Sequence, residues 1–271
     1  SPVLASETCA LDMIGAKYVR DIENGEIIVI TENGIDSIKP FKKIAERPCI
    51  FERIYFASPD SIVGNKTVYT YRKALGEQLA IENNIIADVV VPIPDSGVSA
   101  AIGFSQKSKI PFELGIIRSH YVGRTFIEPS QTIRQFGVKL KHSVNRSCIE
   151  NKKVILIDDS IVRGTTASKI VKMVYEAGAK EVHLGISCPP ILHPDFYGID
   201  TPNYNQLIAS KSSLKEMTKL VGAKSLFFLS LNGTYKAMGC EKRNSKTPQF
   251  TDHCFTGEYP IDVTEILKLN R

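Results

Sequence analysis

The sequence predicts an α/β fold: a mainly parallel sheet flanked by helices, with a small β-rich segment in front. Three observations predict it. From about Cys49 onward, short unbroken apolar runs of strand length alternate with stretches of helical periodicity. One such run, Val154 to Ile157, ends on two adjacent carboxylates and a loop of small residues, in "VILIDDSIVRGTT". Before about residue 47 the pattern differs, and "GEIIVITENGIDSI" reads as a strand, an Asn-Gly turn and a second strand.

The elements follow in order. "TYRKALGEQLAIEN" is helical, "ADVVVPIP" a strand, "GVSAAIGFSQKS" a helix and "PFELGII" a strand. A long polar stretch runs from Arg118 to about Asn151, too long for an ordinary connection. Then come the Val154 strand and the amphipathic stretch "TASKIVKMVYEAGA", with Ile170, Val171, Val174 and Ala177 at helical spacing. "EVHLGIS" and "SLFFLS" are further strands. Strands separated by single helices imply a parallel sheet with right-handed crossovers. The region after Met238 reads as polar and irregular, closed by a short helix at "VTEILKLN". No internal repeat is visible.

The chain has 271 residues, 43% hydrophobic and 23% charged, in the ordinary range for a globular protein. Its net charge of +5 suits anionic small ligands but is too weak and scattered to argue for nucleic acid. The densest basic stretch, Lys139 to Lys153, has no interleaved aromatics and reads as a solvated face. No apolar run approaches the roughly 20 residues of a membrane span. The start shows no signal-peptide pattern, so the sequons at Asn65, Asn145 and Asn232 read as chance and a cytoplasmic location is expected. The six cysteines form no C-x-x-C and the five histidines no H-x-H or H-E-x-x-H, so neither zinc nor a disulfide framework is expected.

Asp159 or Ser160 could simply cap the following helix. The context argues for more. The acids and the Gly164-Thr165-Thr166 turn lie at the carboxyl end of a strand and the amino end of a helix. Open α/β sheets bind ligands there, and free backbone N–H groups favour a phosphate. Two carboxylates beside a phosphate loop suit a phosphorylated ligand that also carries hydroxyls or a metal. "PIPDSG" alone would be an ordinary turn. Beside the first motif it reads as an anion nest, with Gly97 allowing close backbone approach.

"VILIDDSIVRGTT" resembles the phosphoribosyl pyrophosphate (PRPP) motif of type I phosphoribosyltransferases, and its extended form resembles the glutamine PRPP amidotransferase (amidophosphoribosyltransferase) family. "VPIPDSGVSAAIGF", "HYVGRTFIEPSQTIR", "HPDFYGIDTP" and "CFTGEYP" agree, in order, over nearly the whole chain. The resemblance implies a type I phosphoribosyltransferase fold and formation of 5-phosphoribosylamine from PRPP and ammonia, the first committed step of purine synthesis. It implies that Asp158 and Asp159 face the ribose hydroxyls and Mg²⁺, with Ser96 near the metal. Ser160, Arg163, Gly164, Thr165 and Thr166 would hold the 5-phosphate, and Asp95, Ser96 and Gly97 the pyrophosphate. The 118–151 stretch would be a flexible lid whose Arg124 and Lys141 meet PRPP, Lys141 being the expected contact. Ionised acids would stabilise positive charge on the ribose as pyrophosphate departs. Closure would keep out water, a competing nucleophile.

Departures from the family shape the rest. The chain begins Ser1-Pro2, without an amino-terminal cysteine, and "LASETCALDMIGAKYVRDI" resembles the late part of a glutaminase domain, Cys9 being no nucleophile. Residues 1–47 are therefore expected to be the C-terminal remnant of a glutaminase (Ntn-type) domain, and 48–271 the phosphoribosyltransferase domain with its lid and C-terminal tail. A fragment or split form is expected to use ammonia rather than glutamine, with a separate glutaminase chain as a candidate supplier. Some family members hold an iron–sulfur cluster through four cysteines. Cys49 and Cys254 match two of these positions, while Asp195 and Thr251 stand at the others, so no cluster is expected. Expected partners are PRPP, ammonia, purine nucleotides as feedback inhibitors and further copies of the chain in a homo-oligomer, with no nucleic acid or membrane.

Two other readings compete. A non-catalytic PRPP- or nucleotide-binding regulatory fragment would lack an acid or have a shortened lid, and this chain has both acids and a full-length segment. A transferase for another nucleophile, such as a purine base, is opposed by "YVGRTFI" and the glutaminase-like remnant.

Overall fold

The computed structural model describes residues 2–119, 142–199, 201 and 203–269. The chain opens with α1 (Thr8–Met13) and a hairpin, β1 (Ile27–Thr31) and β2 (Gly34–Ile38). The hairpin turn is Glu32–Asn33, one residue earlier than Asn-Gly, because Gly34 already pairs with Thr31 at a φ of 136°. A π-type turn, Glu52–Phe56, follows, then the short ribbon β3 (Ile62–Val63) and β4 (Lys66–Thr67), and α2 (Val68–Glu82). Next are β5 (Val89–Pro92), α3 (Val98–Ser108), β6 (Ile116–Arg118), β7 (His142–Val144) and α4 (Arg146–Ile149). β8 (Lys153–Asp158), α5 (Thr165–Glu176), β9 (Glu181–Ile186), α6 (Leu214–Val221), β10 (Ser225–Phe228) and α7 (Leu231–Ala237) follow. The tail carries α8 (His253–Thr256) and α9 (Thr264–Leu269).

The central sheet has the order β10-β9-β8-β5, every pair parallel. Its inner strands are apolar along their length because helices cover both faces: Val89 to Val91 and Val154 to Ile157 are all buried. α2, α3 and α7 pack as one layer, α5 and α6 as the other. α2 and α3 touch backbone to backbone. A Cβ on Gly76 would lie 1.8 Å from the Ala100 oxygen, and one on Gly103 would lie 1.9 Å from the Lys73 oxygen.

The expected "PFELGII" strand is not a full member of this sheet. Pro111 lacks an N–H, and the segment meets β5 through one parallel bridge, Val90 to Phe112. It then leaves, and β6 pairs antiparallel with β7 instead. That bridge still has a consequence. After β5 the chain moves to one side of it, whereas β9 and β10 are added on the other side of β8. The direction of winding therefore reverses between β5 and β8, where open α/β sheets bind ligands.

The 118–151 stretch has structured ends. Arg118 pairs with His142 across the β6–β7 ribbon, and α4 follows. The tail after Met238 is more integrated than its polar sequence suggests. Phe250, Asp252, His253, Cys254 and Phe255 are buried, and Thr251 bridges to Cys49. Asp252 is held by Arg243 at 2.6 Å and by the Tyr235 hydroxyl at 2.7 Å, which explains how a polar tail enters the core. Among the described residues no helix is long and apolar enough to cross a membrane.

Candidate active site

The site forms where β5 and β8 end side by side. Pro92 pairs with Ile157, so the loops after the two strands leave the sheet together. Gly97 makes this closeness sterically feasible: a Cβ there would lie 2.3 Å from the Ile157 oxygen. In the "PIPDSG" loop the Gly97 N–H donates to Ile93, while those of Asp95 and Ser96 donate to no backbone carbonyl among the described residues. The Pro94–Asp95 peptide is cis. The Asp95 carboxylate is exposed and pairs with Arg118, so its side chain turns away from the pocket.

After β8, neither Asp159 nor Ser160 caps the following helix. α5 begins at Thr165 with Gly164 at its N-cap, at φ 74°, which a glycine adopts without strain. The N–H groups from Ser160 to Gly164 donate to no backbone carbonyl among the described residues. With Thr165 and Thr166 they line a cavity of about 230 Å³ that also meets Asp158. A run of free N–H groups at a helix amino end is chemically suited to hold an anion. It is braced from outside: the Ile208 N–H donates to the Val162 carbonyl at 2.9 Å, and Arg163 hydrogen-bonds Gln206. Arg163 is exposed and held along the rim.

Asp159 is 5% exposed and Asp158 half-buried. Burial, followed by the neighbouring Asp159 charge, pushes the Asp158 carboxyl well above its usual range. The Asp159 N–H on Asp158 Oδ1 at 3.0 Å opposes this only in part. Burial also raises Asp159, against the hydroxyls of Ser160 (2.5 Å) and Ser96 and the charge of Arg72. Two adjacent buried acids resist joint ionisation until positive charge arrives. Their oxygen donors, with the Ser96 hydroxyl, suit a hard cation such as Mg²⁺, which takes one or two carboxylates and completes its shell with phosphates and water. Among the described residues no group of three His, Cys, Asp or Glu is arranged to hold a metal alone.

A cavity of about 390 Å³ opens over the acids. Ser96, Asp158, Asp159 and Ser160 line one side; Phe51, Tyr55 and Phe56 from the π-type turn line another. Ile191, Ile199, Thr201 and Cys254 close it, with His142 at the start of β7. The aromatic wall and Arg72 were not singled out from the sequence. A signal existed for Arg72: it follows Val68 by four and precedes Leu75 by three, on the apolar stripe of α2. Arg124 and Lys141 lie outside the described residues.

The four positions matching cluster ligands lie near one another. Cys49 bridges to Thr251, and Asp195 and Cys254 are their neighbours. Burial raises both thiols, most strongly Cys254, whereas cluster ligation needs thiolates. Asp195 is already engaged. Its Oδ1 accepts the N–H groups of Tyr197, Gly198 and Ile199, each at 2.8 Å, and its Oδ2 lies 2.6 Å from His253 Nε2.

Comparison with known proteins agrees with this geometry. The phosphoribosyl transferase domain model matches residues 73–194. The amidophosphoribosyltransferase of Rhizobium etli is 60% identical over 97% of this chain and 54% of its own length. That of Bacillus subtilis is 49% identical over 96% and 55%. A solved structure of the B. subtilis glutamine PRPP amidotransferase, complexed with ADP and GMP, superposes with a TM-score of 0.87 at 48% identity, covering 96% of this chain and 57% of that one. The chain spans about half the length of the curated relatives it matches.

Proposed function

The chain belongs to the amidophosphoribosyltransferase family, as its phosphoribosyltransferase part, and from that premise we propose that it transfers the 5-phosphoribosyl group of PRPP to ammonia. The C1–oxygen bond to pyrophosphate breaks, a C1–nitrogen bond forms, and the nitrogen loses a proton. One observation carries the reading: the acid pair, the phosphate cradle and the "PIPDSG" loop line two adjoining cavities, which share Asp158, Ser160, Val162 and Thr166, at the ends of two adjacent strands.

The residues divide the ligand between them. The N–H groups of Ser160 to Gly164, with Thr165 and Thr166, take the 5-phosphate. The free N–H groups of Asp95 and Ser96 face the pyrophosphate. Asp158 and Asp159 accept from the ribose hydroxyls, and their buried negative charge opposes the positive charge that grows on the ribose as pyrophosphate leaves. A bound Mg²⁺ supplies charge neutralisation for the pyrophosphate, and Asp158, Asp159 and Ser96 are the residues to hold it. Phe51, Tyr55 and Phe56 give the pocket an apolar side that disfavours water beside the activated ribose. Arg124 and Lys141 enter this proposal as PRPP contacts on the resemblance alone. Purine nucleotides are proposed as ligands because the related B. subtilis enzyme is complexed with ADP and GMP.

The test is pyrophosphate release from PRPP with Mg²⁺, comparing ammonium, glutamine and no added nucleophile. Release that rises with ammonium, more so at higher pH where free NH₃ is present, is the expected result. Absence of release under every condition would end the transferase reading.

A further inference from the structure

Arg72 is 4% exposed, an unusual place for a guanidinium. Its Nη2 donates to the Ala57 carbonyl at 2.6 Å and its Nε to the Arg53 carbonyl at 3.4 Å. These two carbonyls bracket Ile54, Tyr55 and Phe56, in the turn whose aromatic rings face the acid pair across the pocket. Tyr55 and Phe56 are 47% and 43% exposed, so the core does not fix them by packing alone. A single π-type turn has poor intrinsic stability and is retained where something else holds it.

The other side of the same segment is held as well. Glu7 Oε2 accepts from the Ser58 N–H at 2.7 Å and from the Ser61 hydroxyl at 2.8 Å. Thr8 Oγ1 accepts from the Ile62 N–H at 2.8 Å. The aromatic turn therefore sits between a buried guanidinium on α2 and a carboxylate from the N-terminal segment. The charge of Arg72 interacts with both Asp159 and Glu7.

We propose that Arg72 is a positioning residue that, together with Glu7, clamps the Glu52–Phe56 turn and thereby sets how the activated ribose partitions between ammonia and water. The proposal rests on the PRPP reading above. Neither residue needs to touch substrate. Arg72 holds the backbone on both sides of Tyr55 and Phe56 and Glu7 holds it just after them, and a loosened wall admits water to the space over Asp158 and Asp159.

Two variants and two readouts test this in the full chain. Arg72→Lys keeps the charge but loses the two-pronged reach to both carbonyls. Glu7→Ala removes the other grip from a half-buried position that leaves the core untouched. Hydrogen exchange followed by mass spectrometry should show residues 52–61 exchanging about tenfold faster in both variants, with β8 unchanged. With PRPP and Mg²⁺, the pyrophosphate released without a nucleophile, as a share of that released with saturating ammonium, should rise by about fivefold, while the KM for PRPP stays within about twofold. A destabilised but otherwise intact enzyme would lose total activity without changing that share. Unchanged exchange in the folded variants, or faster exchange with an unchanged share, overturns the proposal. If Arg72→Lys does not fold, Glu7→Ala decides by the same two readouts. If the parent releases no pyrophosphate at all, the transferase reading fails, and exchange alone then judges the clamp.

Discussion

His253 Nε2 and Asp195 Oδ2 stand 2.6 Å apart, both side chains buried, where the C-terminal tail meets the loop that brings Ile199 and Thr201 to the pocket. Burial opposes ionisation of Asp195, but the bond from His253 and the three N–H groups outweigh it and bring its pKa to about 2. The folded value lies below the ordinary aspartate value of 3.8, so the stabilisation is fully present above about pH 4 and is lost as pH falls toward 2. Asp195→Asn should therefore cost about 2 kcal/mol at neutral pH. Urea unfolding of both proteins at several pH values checks it, and the gap should shrink below pH 4. A gap independent of pH would assign the loss to packing instead.

The same engagement of Asp195, with neutral thiols at Cys49 and Cys254, predicts that anaerobically purified protein carries neither iron nor sulfide. Stoichiometric iron and sulfide in a direct analysis would refute this.

The acid pair should show activity and stability moving in opposite directions. Asp158→Asn and Asp159→Asn should each lower turnover by about a hundredfold, because they remove charge that opposes the ribose cation. The folded state holds the Asp158 proton more tightly than the unfolded chain does, so this group's contribution to stability declines as pH rises above 3.8. Asp158→Asn should accordingly stabilise the ligand-free chain at pH 7. Thermal melts at pH 7, read beside kinetics, test both halves. Kinetics within a few-fold of the parent for both variants would remove the acids from the mechanism.

Gly97→Ala should damage binding and stability together. The added methyl would lie 2.3 Å from the Ile157 oxygen, and backbone there cannot give way without parting the two loops. A loss of about 1–3 kcal/mol is expected, with the affinity for PRPP falling as well. Denaturant midpoints and calorimetric titration with PRPP measure the two effects; a neutral result in both would mean that the loops need not touch.

The phosphate cradle gives a prediction about an isolated anion. Ribose 5-phosphate should raise the melting temperature of the parent, and Gly164→Ala should lose most of that rise. A side chain at φ 74° is strained by about 1 kcal/mol, and its Cβ would meet Ile208 Cδ1 at 3.0 Å. An equal rise in parent and variant would place the phosphate elsewhere.

Much of the chemistry was legible because it is local. The Val154 to Ile157 run, the acids that end it and the glycine that opens α5 occupy eleven consecutive residues, and each is dictated by its neighbours. Other local signals went unread, such as the capping box of Ser213 and Glu216 that starts α6. The aromatic wall was not legible in the same way. Nothing near Phe51 to Phe56 says that these rings face Asp158, a hundred residues away.

By itself the sequence determined the central-sheet strands β5, β8, β9 and β10, the helices α2, α3 and α5, and two loops of the kind that suit phosphate, because apolar periodicity and backbone sterics act over a few residues. Only the tertiary structure decided that β5 and β8 end side by side with the winding reversed between them. Only it set Arg72 against the carbonyls of a turn on another segment, and turned Asp195 from a cluster position into the partner of His253. The physical reason is that parallel pairing, burial of charge and hydrogen bonds between distant residues depend on distances through space, and the linear order of residues does not carry those distances.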